Sequence, residues 1–329
     1  MQSYQKVLNL LQKNKGRYLS GEEMGDLLGI SRGAVWKAIE SLRKQGIHIE
    51  SRNRCGYTLQ DSDGTMTPTT LALEIGDMEK ADLISVYDTL PSTNTTLREE
   101  ALAGAPAGKV IIANTQTSGR GRMGRSFFSP ADSGIYMSVL YRPSPDSHLP
   151  ESITMAASVV IAQAIEEVTG QSPGIKWVND LYKDGLKIAG ILTEAFVNVE
   201  TGGMDYIVLG VGINLYHPKD QFPDDLKSIA SSLYGNKPPE DPTIRLRLTA
   251  AIIKKLWELS TSQGIGDYIE DYRRRSIVLG EEVVITAGRN EIRGLVTGFD
   301  DQGHLLLKTA DGQIQNIGSG EITLRFSKK

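Results

Sequence analysis

The stretch T-S-G-R-G-R-M-G-R-S-F-F-S-P, residues 117–130, alternates glycines with arginines. Glycine costs about 1 kcal/mol relative to alanine inside a helix, so the stretch predicts a loop. Its glycines let backbone N–H groups approach a ligand, and its arginines supply cations. They are Gly119, Gly121 and Gly124, with Arg120, Arg122 and Arg125. The loop therefore predicts phosphate binding; a nucleic-acid patch and a solvated turn are the alternatives.

The size and composition of the chain narrow its class. A chain of 329 residues is long enough for two or three domains. Cys55 is the single cysteine, which excludes an intrachain disulfide, and four scattered histidines do not predict a metal site. The start M-Q-S-Y-Q-K-V has no apolar signal core, and no uninterrupted apolar run approaches the ~20 residues that span a bilayer. We therefore expect a cytoplasmic protein without a membrane partner.

The charge is unevenly distributed along the chain. The net charge is −4, yet residues 1–62 contain ten Lys/Arg and six Asp/Glu, so the rest of the chain carries −8. A basic first segment on an acidic body indicates nucleic-acid binding by that segment.

The basic segment has the pattern of a helix-turn-helix. Residues 4–13 carry apolar side chains at helical spacing, Ser20 is placed to cap a second helix, and Ser31 to cap a third that stops at Gly46. The expected buried stripe of the third helix is Ala34, Val35, Ala38, Ile39 and Leu42, with Trp36 at its rim. Two short helices joined by a tight turn predict DNA binding; a helical oligomerisation or docking module is the alternative.

A hairpin follows, because the alternating arms of I-H-I-E-S-R-N-R-C-G-Y-T-L flank a polar tip. In a winged helix-turn-helix the second helix of the motif enters the major groove and the wing contacts the backbone or minor groove. The residues predicted to face DNA are Ser31, Arg32, Gly33, Lys37, Arg52 and Arg54.

The pattern changes twice after the wing. Residues 61–68 form a polar, turn-rich linker, and short strands separated by turns begin near Ile277. We predict an α+β multidomain protein with three domains: a winged helix-turn-helix over 1–64, a central domain over 65–275 with long helices and a mixed sheet, and a small β-barrel over 276–329.

Four polar motifs interrupt the central region. Ser92, Thr93 and Asn94 either bind a neutral polar ligand or cap a helix, and Asn179-Asp180 ends a strand as a ligand pair or as an ordinary turn. Lys187, alone in an apolar strand, either reaches solvent or binds an anion. The fourth motif, V-L-G-V-G-I-N-L (208–215), lacks the third glycine and the helix of a dinucleotide fingerprint; its glycines indicate close backbone approach, as to a flat base or ring.

In this order and spacing the motifs resemble the biotin protein ligases and, with the N-terminal module, the bifunctional biotin ligases and biotin-operon repressors. The resemblance extends over essentially the whole chain. It is carried by the glycine-arginine loop, K-W-V-N-D (176–180), K-I-A-G-I-L (187–192) and G-V-G-I-N (210–214). Two positions depart from the family pattern, Met123 for an arginine and Val178 for a proline, and neither removes a proposed ligand.

The resemblance implies that ATP, with Mg²⁺, activates biotin to biotinyl-AMP, and that biotin then passes to a lysine of a biotin carboxyl carrier protein. The implied catalytic residues are Lys187, Arg120, Arg122 and Asp180. The implied biotin-binding residues are Ser92, Thr93, Asn94, Gln116, Gly119, Arg120, Gly121, Arg122, Lys187 and Gly190. The implied nucleotide-binding residues are Arg122, Arg125, Asn179, Asn214 and Phe222, and no protein metal site is expected.

The resemblance also implies mobile loops and regulation. Loop 117–128 would close over biotin and loop 216–226 over the nucleotide, which protects an acyl-adenylate from water. Biotinyl-AMP would favour a homodimer that binds a two-fold operator. The rival functions are a lipoate ligase and a ligand-sensing transcription factor without ligase chemistry.

Overall fold

The structure is a computed structural model, and it describes residues 3–144, 149–197, 203–219, 221–260, 266, 268–287, 290–318 and 320–324. The chain forms two compact units. The first contains residues 1–86 and 239–250, and the second contains residues 87–238 and 251–329.

The first unit begins with three helices and a hairpin. They are α1 (Ser3–Lys13), α2 (Gly21–Leu28), α3 (Arg32–Lys44), β1 (Ile49–Arg52) and β2 (Gly56–Leu59). The predicted caps are present, because the Ser20 hydroxyl accepts a hydrogen bond from the Glu23 N–H and the Ser31 hydroxyl accepts one from the Ala34 N–H. β1 and β2 pair antiparallel. This is the predicted winged helix-turn-helix.

The buried face of α3 differs from the predicted stripe at one position. Val35, Ala38, Ile39 and Leu42 are buried and pack with residues of α1 and α2. Ala34 is only partly buried, because it lies in the first turn of the helix beside the exposed N-terminal residues.

The segment predicted as a linker is hydrogen-bonded to the helix-turn-helix. The Thr67 hydroxyl donates to the Gln45 carbonyl at 2.7 Å. Thr67 also caps α4 (Pro68–Ile75) in a capping box with Thr70. These contacts attach residues 65–75 to the end of α3.

The second unit is built on a seven-stranded sheet of order β3-β4-β5-β9-β8-β7-β6. Its strands are β3 (Ile84–Leu90), β4 (Val110–Gln116), β5 (Gly134–Tyr141), β6 (Gly174–Lys176), β7 (Asp180–Lys183), β8 (Leu186–Val197) and β9 (Met204–Asn214). Following the order of strands in the sheet, each neighbouring pair from β4 to β6 is antiparallel. Parallel pairing occurs at two isolated bridges, Ile175–Ser276 and Lys187–Ala230. The sheet is mixed, as predicted.

Among the described residues, three helices lie wholly in this unit: α5 (Thr93–Leu102), α6 (Leu149–Thr169) and α8 (Ile269–Arg275). A further helix, α7 (Ile244–Leu259), begins in the first unit and ends in the second. All eight residues of β5 are buried, so this strand forms the centre of the core. By length and composition alone, the window Ser152–Thr169 of α6 could cross a membrane; 67% of it is buried inside the protein, as in a core helix.

An ion cluster joins α6 to α8. Arg275, almost fully buried, bonds to Glu166 on α6 and, at 3.2 Å, to Asp271 one turn earlier on α8. The hydrogen bond from Arg275 lowers the pKa of Glu166. Burial acts to raise the pKa of Asp271, but hydrogen bonds from Arg274, Gln163 and Arg275 outweigh it, so that this pKa is also lowered.

The C-terminal part of the second unit is a five-stranded antiparallel sheet of order β13-β12-β11-β10-β14. Its strands are β10 (Glu282–Ala287), β11 (Asn290–Phe299), β12 (Leu305–Lys308), β13 (Ile314–Ile317) and β14 (Glu321–Leu324). The predicted turns lie between them, with Gly303 and Gly312 at positive φ. The strands predicted from Ile277 onward are confirmed as a sheet.

Candidate functional site

A cavity opens on the seven-stranded sheet and has an empty volume of about 450 Å³, counting the part open to solvent. It is lined by α5, the loop after β4, the β6–β7 hairpin, β8 and β9. Among its lining residues are Ser92, Thr93, Asn94, Gln116, Arg120, Gly121, Arg122, Asn179, Lys187 and Gly190. Five segments of the sequence therefore meet at one site: residues 92–94, 116–127, 179, 187–192 and 210–212.

One end of the cavity is neutral. The Gln116 side-chain carbonyl accepts hydrogen bonds from the Thr93 N–H at 2.9 Å and from the Thr93 hydroxyl at 3.2 Å. The Gln116 amide group donates to the Ser129 hydroxyl at 2.9 Å. Thr93 and Ser129 are buried, so this end of the cavity is held by paired, uncharged groups.

Ser138 of β5 lies beneath this cluster. Its hydroxyl oxygen is 2.8 Å from the Thr93 hydroxyl and 2.6 Å from the Asn94 side-chain carbonyl. The Asn94 amide donates to Glu194 at 2.9 Å. Gly210 of β9 provides the space, because a Cβ there would lie 2.1 Å from the Asn94 carbonyl oxygen.

The helix-capping alternative for the Ser-Thr-Asn motif is only partly realised. Ser92 occupies the N-cap position of α5, but its side chain makes no capping hydrogen bond. Thr93 and Asn94 instead bond across the sheet to Gln116, Ser138 and Glu194. Their polar atoms serve the wall of the cavity.

The glycine-arginine stretch is a loop, as predicted, and forms a small hairpin. Arg120 bridges to Ser126, the Gly121 N–H donates to the Arg125 carbonyl, and the Phe127 N–H donates to the Gly119 carbonyl. Glycine is required at 119, since a Cβ would lie 2.3 Å from the Phe127 carbonyl oxygen. The loop is therefore fixed at its base.

The other end of the cavity is charged, and each cation has a protein partner. Arg120 pairs with Glu194 at 3.0 Å and Lys187 pairs with Asp180 at 2.7 Å. The Arg122 guanidinium donates to the Asn179 side-chain carbonyl at 2.9 Å.

The K-W-V-N-D stretch forms the tight β6–β7 hairpin and directs this arrangement. Lys176 pairs with Asp180 in the register of the two strands, and the Asn179 amide donates to Asp180 at 2.9 Å and to the Ile191 carbonyl at 3.1 Å. Gly190 leaves room for the adjacent ion pair, since a Cβ there would lie 3.1 Å from the Lys187 Nζ.

A second cavity shares the charged wall of the first and extends to the C-terminal sheet. It is lined by Arg122, Asp180 and Lys187, and also by Arg125, Lys176, Gly320 and Ile322. Positively charged side chains therefore continue from the first cavity into the second, where Arg125 and Lys176 join Arg122 and Lys187.

Five predicted site residues lie outside the lining of the first cavity. Asp180 and Arg125 line the second cavity instead, and the other three line neither. Gly119 is buried at the base of the loop. The Asn214 amide donates to the Ser231 carbonyl at 3.0 Å. Phe222 is buried, with its ring centroid 5.0 Å from that of His217 and 6.3 Å from that of Phe128. Residue 220 of the loop 216–226 lies outside the described residues.

Sequence reasoning missed two residues of the site. Ser138 is the one hydroxyl-bearing side chain between Met137 and Leu140 in an otherwise apolar strand, which was a usable signal. Glu194 lies two residues after the quoted motif K-I-A-G-I-L (187–192), but only the fold brings it to both Asn94 and Arg120. Gly210 and Gly212, expected to admit a flat ligand, also admit the protein's own Asn94 amide and Phe127 ring.

The described residues contain no cluster of three or more His, Cys, Asp or Glu side chains arranged to hold a metal ion. Asp180 is a carboxylate at the charged wall, and Lys187 contacts it. Mg²⁺ commonly binds through one or two carboxylates together with substrate phosphates. The donor set therefore fits an ion carried largely by a polyphosphate.

The first unit presents a separate groove. It is formed by the N-terminal ends of α2 and α3 and by the wing, and its lining includes Arg32, Gly33, Trp36, Arg52 and Arg54. Ser31 and Lys37 are exposed at the same end of α3. All six residues predicted to face DNA thus lie at the N-terminal end of α3 or on the wing.

Comparison with known proteins follows the same three-part division. The family models "HTH domain", "Biotin/lipoate A/B protein ligase family" and "Biotin protein ligase C terminal domain" match residues 4–58, 86–214 and 278–325. The "Bifunctional ligase/repressor BirA" of Bacillus subtilis is 34% identical over 97% of each chain. That of Escherichia coli is 30% identical over 95% of each chain.

The chain belongs to the biotin protein ligase family. Among solved structures, the biotin protein ligase of Aquifex aeolicus in complex with biotin and ATP is 28% identical to it, with a TM-score of 0.60. The match covers 74% of this chain and 98% of that one. The two relatives above, which match nearly the whole length of this chain, are both named as ligase and repressor.

Proposed function

We propose that this protein ligates biotin to a carrier protein and represses transcription in response to biotin. The observation that carries the ligase half is the single cavity with a neutral, hydrogen-bonded end and a cationic end. Biotin has the same polarity, with a neutral ureido ring at one end and a carboxylate at the other.

The neutral end binds the ureido ring. Ser92, Thr93, Asn94 and Gln116 offer hydroxyl and amide groups, which suit a neutral array of donors and acceptors. A buried polar group left without its partner costs about 1–3 kcal/mol, so this end selects against acids that lack such a ring. Lipoate is one such acid.

The charged end promotes the first reaction. A biotin carboxylate oxygen attacks the α-phosphorus of ATP, the bond to the β-phosphate oxygen breaks, and pyrophosphate leaves. Negative charge grows on the phosphoryl oxygens, so Arg120, Arg122 and Lys187 act by position and charge. Arg125 and Asn179 contact the nucleotide, with Asn214 and Phe222 on the side of loop 216–226.

Protein partners hold each of these cations. Glu194, Asp180 and Asn179 hold Arg120, Lys187 and Arg122. When substrate phosphates and carboxylate arrive, the cations exchange or share these partners. Asp180 would serve as the protein ligand of a Mg²⁺ ion brought by the polyphosphate, and that ion would supply further neutralisation of phosphate charge.

In the second reaction, the amine of a carrier lysine attacks the acyl carbon of biotinyl-AMP and AMP leaves. Loop 117–128 and loop 216–226 shield the adenylate from water until the carrier arrives. Asp180 is placed to orient the incoming amine or the metal.

The test is biotin-dependent exchange between ATP and pyrophosphate, run with biotin and with lipoate. We expect exchange with biotin only. Lys187→Ala lowers its rate about a hundredfold, the effect of removing one group that stabilises a developing charge. Lys255→Ala is the matched control, because this lysine also pairs with a carboxylate, Glu167 at 3.1 Å, outside the cavity.

The other possible results of the exchange experiment would support one of the two rival functions. Exchange with lipoate in place of biotin makes the protein a lipoate ligase. Exchange with neither acid makes it a ligand-sensing transcription factor, and the catalytic assignments then fail together.

The repressor half rests on the winged helix-turn-helix with its exposed cations. Biotinyl-AMP acts as the corepressor: it favours a homodimer, which places two α3 helices on a two-fold operator. Sedimentation and DNA-binding measurements with and without biotinyl-AMP test this coupling. Unchanged self-association and unchanged operator affinity would refute it.

We also propose the predicted domain limits, 1–64, 65–275 and 276–329, and a cytoplasmic location. The C-terminal sheet closes into a barrel. Its edge strands β13 and β14 are joined by three residues, 318–320. In a flat five-stranded sheet the two edge strands would be four strand spacings apart, or about 19 Å. The connection between them spans four residue steps, which reach only about 14 Å when fully extended. The sheet must therefore curl to bring its edges together.

A further inference from the structure

Trp36 is an exposed tryptophan on the helix that faces DNA in the proposed function. The other two tryptophans, Trp177 and Trp257, are buried, whereas Trp36 is 55% exposed. An exposed apolar side chain is informative where it lies in a groove rimmed by polar residues, and Trp36 lines such a groove. Its Ser31-capped helix fixes where the ring projects.

Trp36 lies on the wall of the groove that α3 forms. It lies four residues after Arg32, so the two side chains share one face of the helix, next to the face that Val35 and Ile39 bury. The Arg32 stem packs over Gly21, whose Cβ would lie 3.4 Å from the Arg32 Cγ. The wing forms the other wall of the groove.

The charge around Trp36 indicates the class of partner. Arg32, Arg52 and Arg54 line the groove with it, and Glu22 is the acidic residue there. Within the described part of the chain, none of these three arginines forms an ion pair. An apolar ring surrounded by arginines without ion-pair partners suits a negatively charged polymer that also offers an apolar group.

We propose that Trp36 reads sequence by packing against the C5-methyl group of a thymine in the major groove. The inference rests on the proposed binding of DNA. The thymine methyl is the apolar mark that distinguishes base pairs in that groove, and phosphates on either side suit the arginines. Trp36 is thus a specificity-determining residue, while the arginines supply affinity that is independent of sequence.

The experiment uses the full-length protein with biotin and ATP. A duplex is first selected from a randomised DNA pool. Its thymines are then replaced one at a time by deoxyuridine, which removes only the methyl group, and binding is measured for the wild type and for Trp36→Ala. Leu27→Ala is the matched control, because Leu27 is 62% exposed on α2 and lies outside the groove lining.

We expect one methyl deletion to weaken the binding of the wild type about three- to tenfold and to leave the binding of Trp36→Ala unchanged. Such non-additivity between the methyl deletion and the substitution indicates that the two groups are in contact. Trp36→Ala alone weakens binding by a similar factor, and Leu27→Ala does not. Tryptophan emission of the wild type changes on DNA binding, and that of Trp36→Ala does not.

Other outcomes overturn the inference in distinguishable ways. Equal sensitivity of wild type and Trp36→Ala to every deoxyuridine would show that the ring reads no methyl. A loss of self-association without DNA would make Trp36 a protein contact. If the wild type selects no duplex and binds none, the proposed DNA binding fails as well, while biotin-dependent exchange still reports on the ligase.

Discussion

The two ends of the cavity differ in burial and in charge. At the neutral end, Thr93, Asn94 and Ser138 are buried and hydrogen-bonded to one another. At the charged end, Arg120 and Lys187 keep 43% and 30% of their side-chain surfaces exposed, and each is paired with a carboxylate. One end is fixed by the core and the other by exchangeable ion pairs.

In the proposed function, this difference separates the recognition of biotin from catalysis. A rigid neutral end binds the ground state and the transition state of the reaction equally, so damage to it raises KM. Cations that engage developing charge act mainly in the transition state, so their loss lowers kcat. Glu194 connects the two ends, because its carboxylate accepts from Asn94 and pairs with Arg120.

The largest effect is expected at the charged end. Arg122→Ala removes a cation that Asn179 holds in place at 2.9 Å. We expect the kcat of biotin-dependent exchange to fall about a hundredfold, with the KM for biotin changed less than about threefold. Arg293→Ala, at an exposed arginine on β11, is the control. A rise in KM at normal kcat would place Arg122 in recognition instead.

The next effect is a steric change at the neutral end. Gly210→Ala introduces a Cβ 2.1 Å from the Asn94 carbonyl oxygen, which forces the amide out of place. We expect the KM for biotin to rise more than about tenfold, with kcat at saturating biotin nearly retained. Gly298→Ala is the matched strand control, since its Cβ would meet only Leu306 at 3.6 Å. Equal kinetics of the two variants would mean that Asn94 does not set the neutral end.

A smaller effect comes from one hydroxyl. Ser138→Ala leaves the Asn94 carbonyl and the Thr93 hydroxyl without their shared partner at 2.6 and 2.8 Å. We expect the KM for biotin to rise about five- to tenfold, consistent with about 1 kcal/mol for a lost buried hydrogen bond. Ser158→Ala is the control, because that buried hydroxyl bonds only within α6, to the Met155 carbonyl. A fall in kcat alone would contradict the division between the ends.

The smallest effect on catalysis is expected away from both ends. The pKa values of Glu166 and Asp271 are lowered below their ordinary values of 4.5 and 3.8. Their stabilising effect is therefore complete above those values and is lost as the pH falls through the lowered ones. Asp271→Asn should lower Tm by about 2–4 °C at pH 7 and progressively less toward pH 3. Exchange kinetics at pH 7 should stay within about twofold.

This last variant also tests whether changes at the cavity report on the site itself. Thermal unfolding between pH 7 and pH 3 gives the stability, and exchange at pH 7 gives the activity. If Asp271→Asn changed KM or kcat as strongly as the cavity variants do, general weakening of the fold would explain all of them.

Much of the fold could be predicted because its signals are local. Hydroxyl caps at Ser20 and Ser31, the apolar runs of β5 and β9, and the turns at Gly303 and Gly312 each depend on residues close in sequence. Ala34 was assigned to the buried face from periodicity alone, which does not register that the first turn of a helix is open to solvent.

The site was predictable in its cations and less so in their partners. The glycine-arginine loop and Lys187 are conspicuous in a sequence, whereas Glu194 reaches Asn94 across 100 positions and Arg120 across 74. Pairing of that kind follows from strand order. Ser138 is visible in the sequence as a polar residue in an apolar strand, but its partners on α5 are known only once the fold is.

The strand β5 supports the wall of the cavity and is at the same time part of the interior of the protein. Every residue from Gly134 to Tyr141 is buried, and Ser138 supports the neutral end from within it. Efforts to make the enzyme accept an altered acid will therefore meet folding failures if they change this strand. Libraries confined to the hairpin loop, where Met123 is already exposed and unconstrained by burial, leave the interior intact and are the better starting material for new substrates.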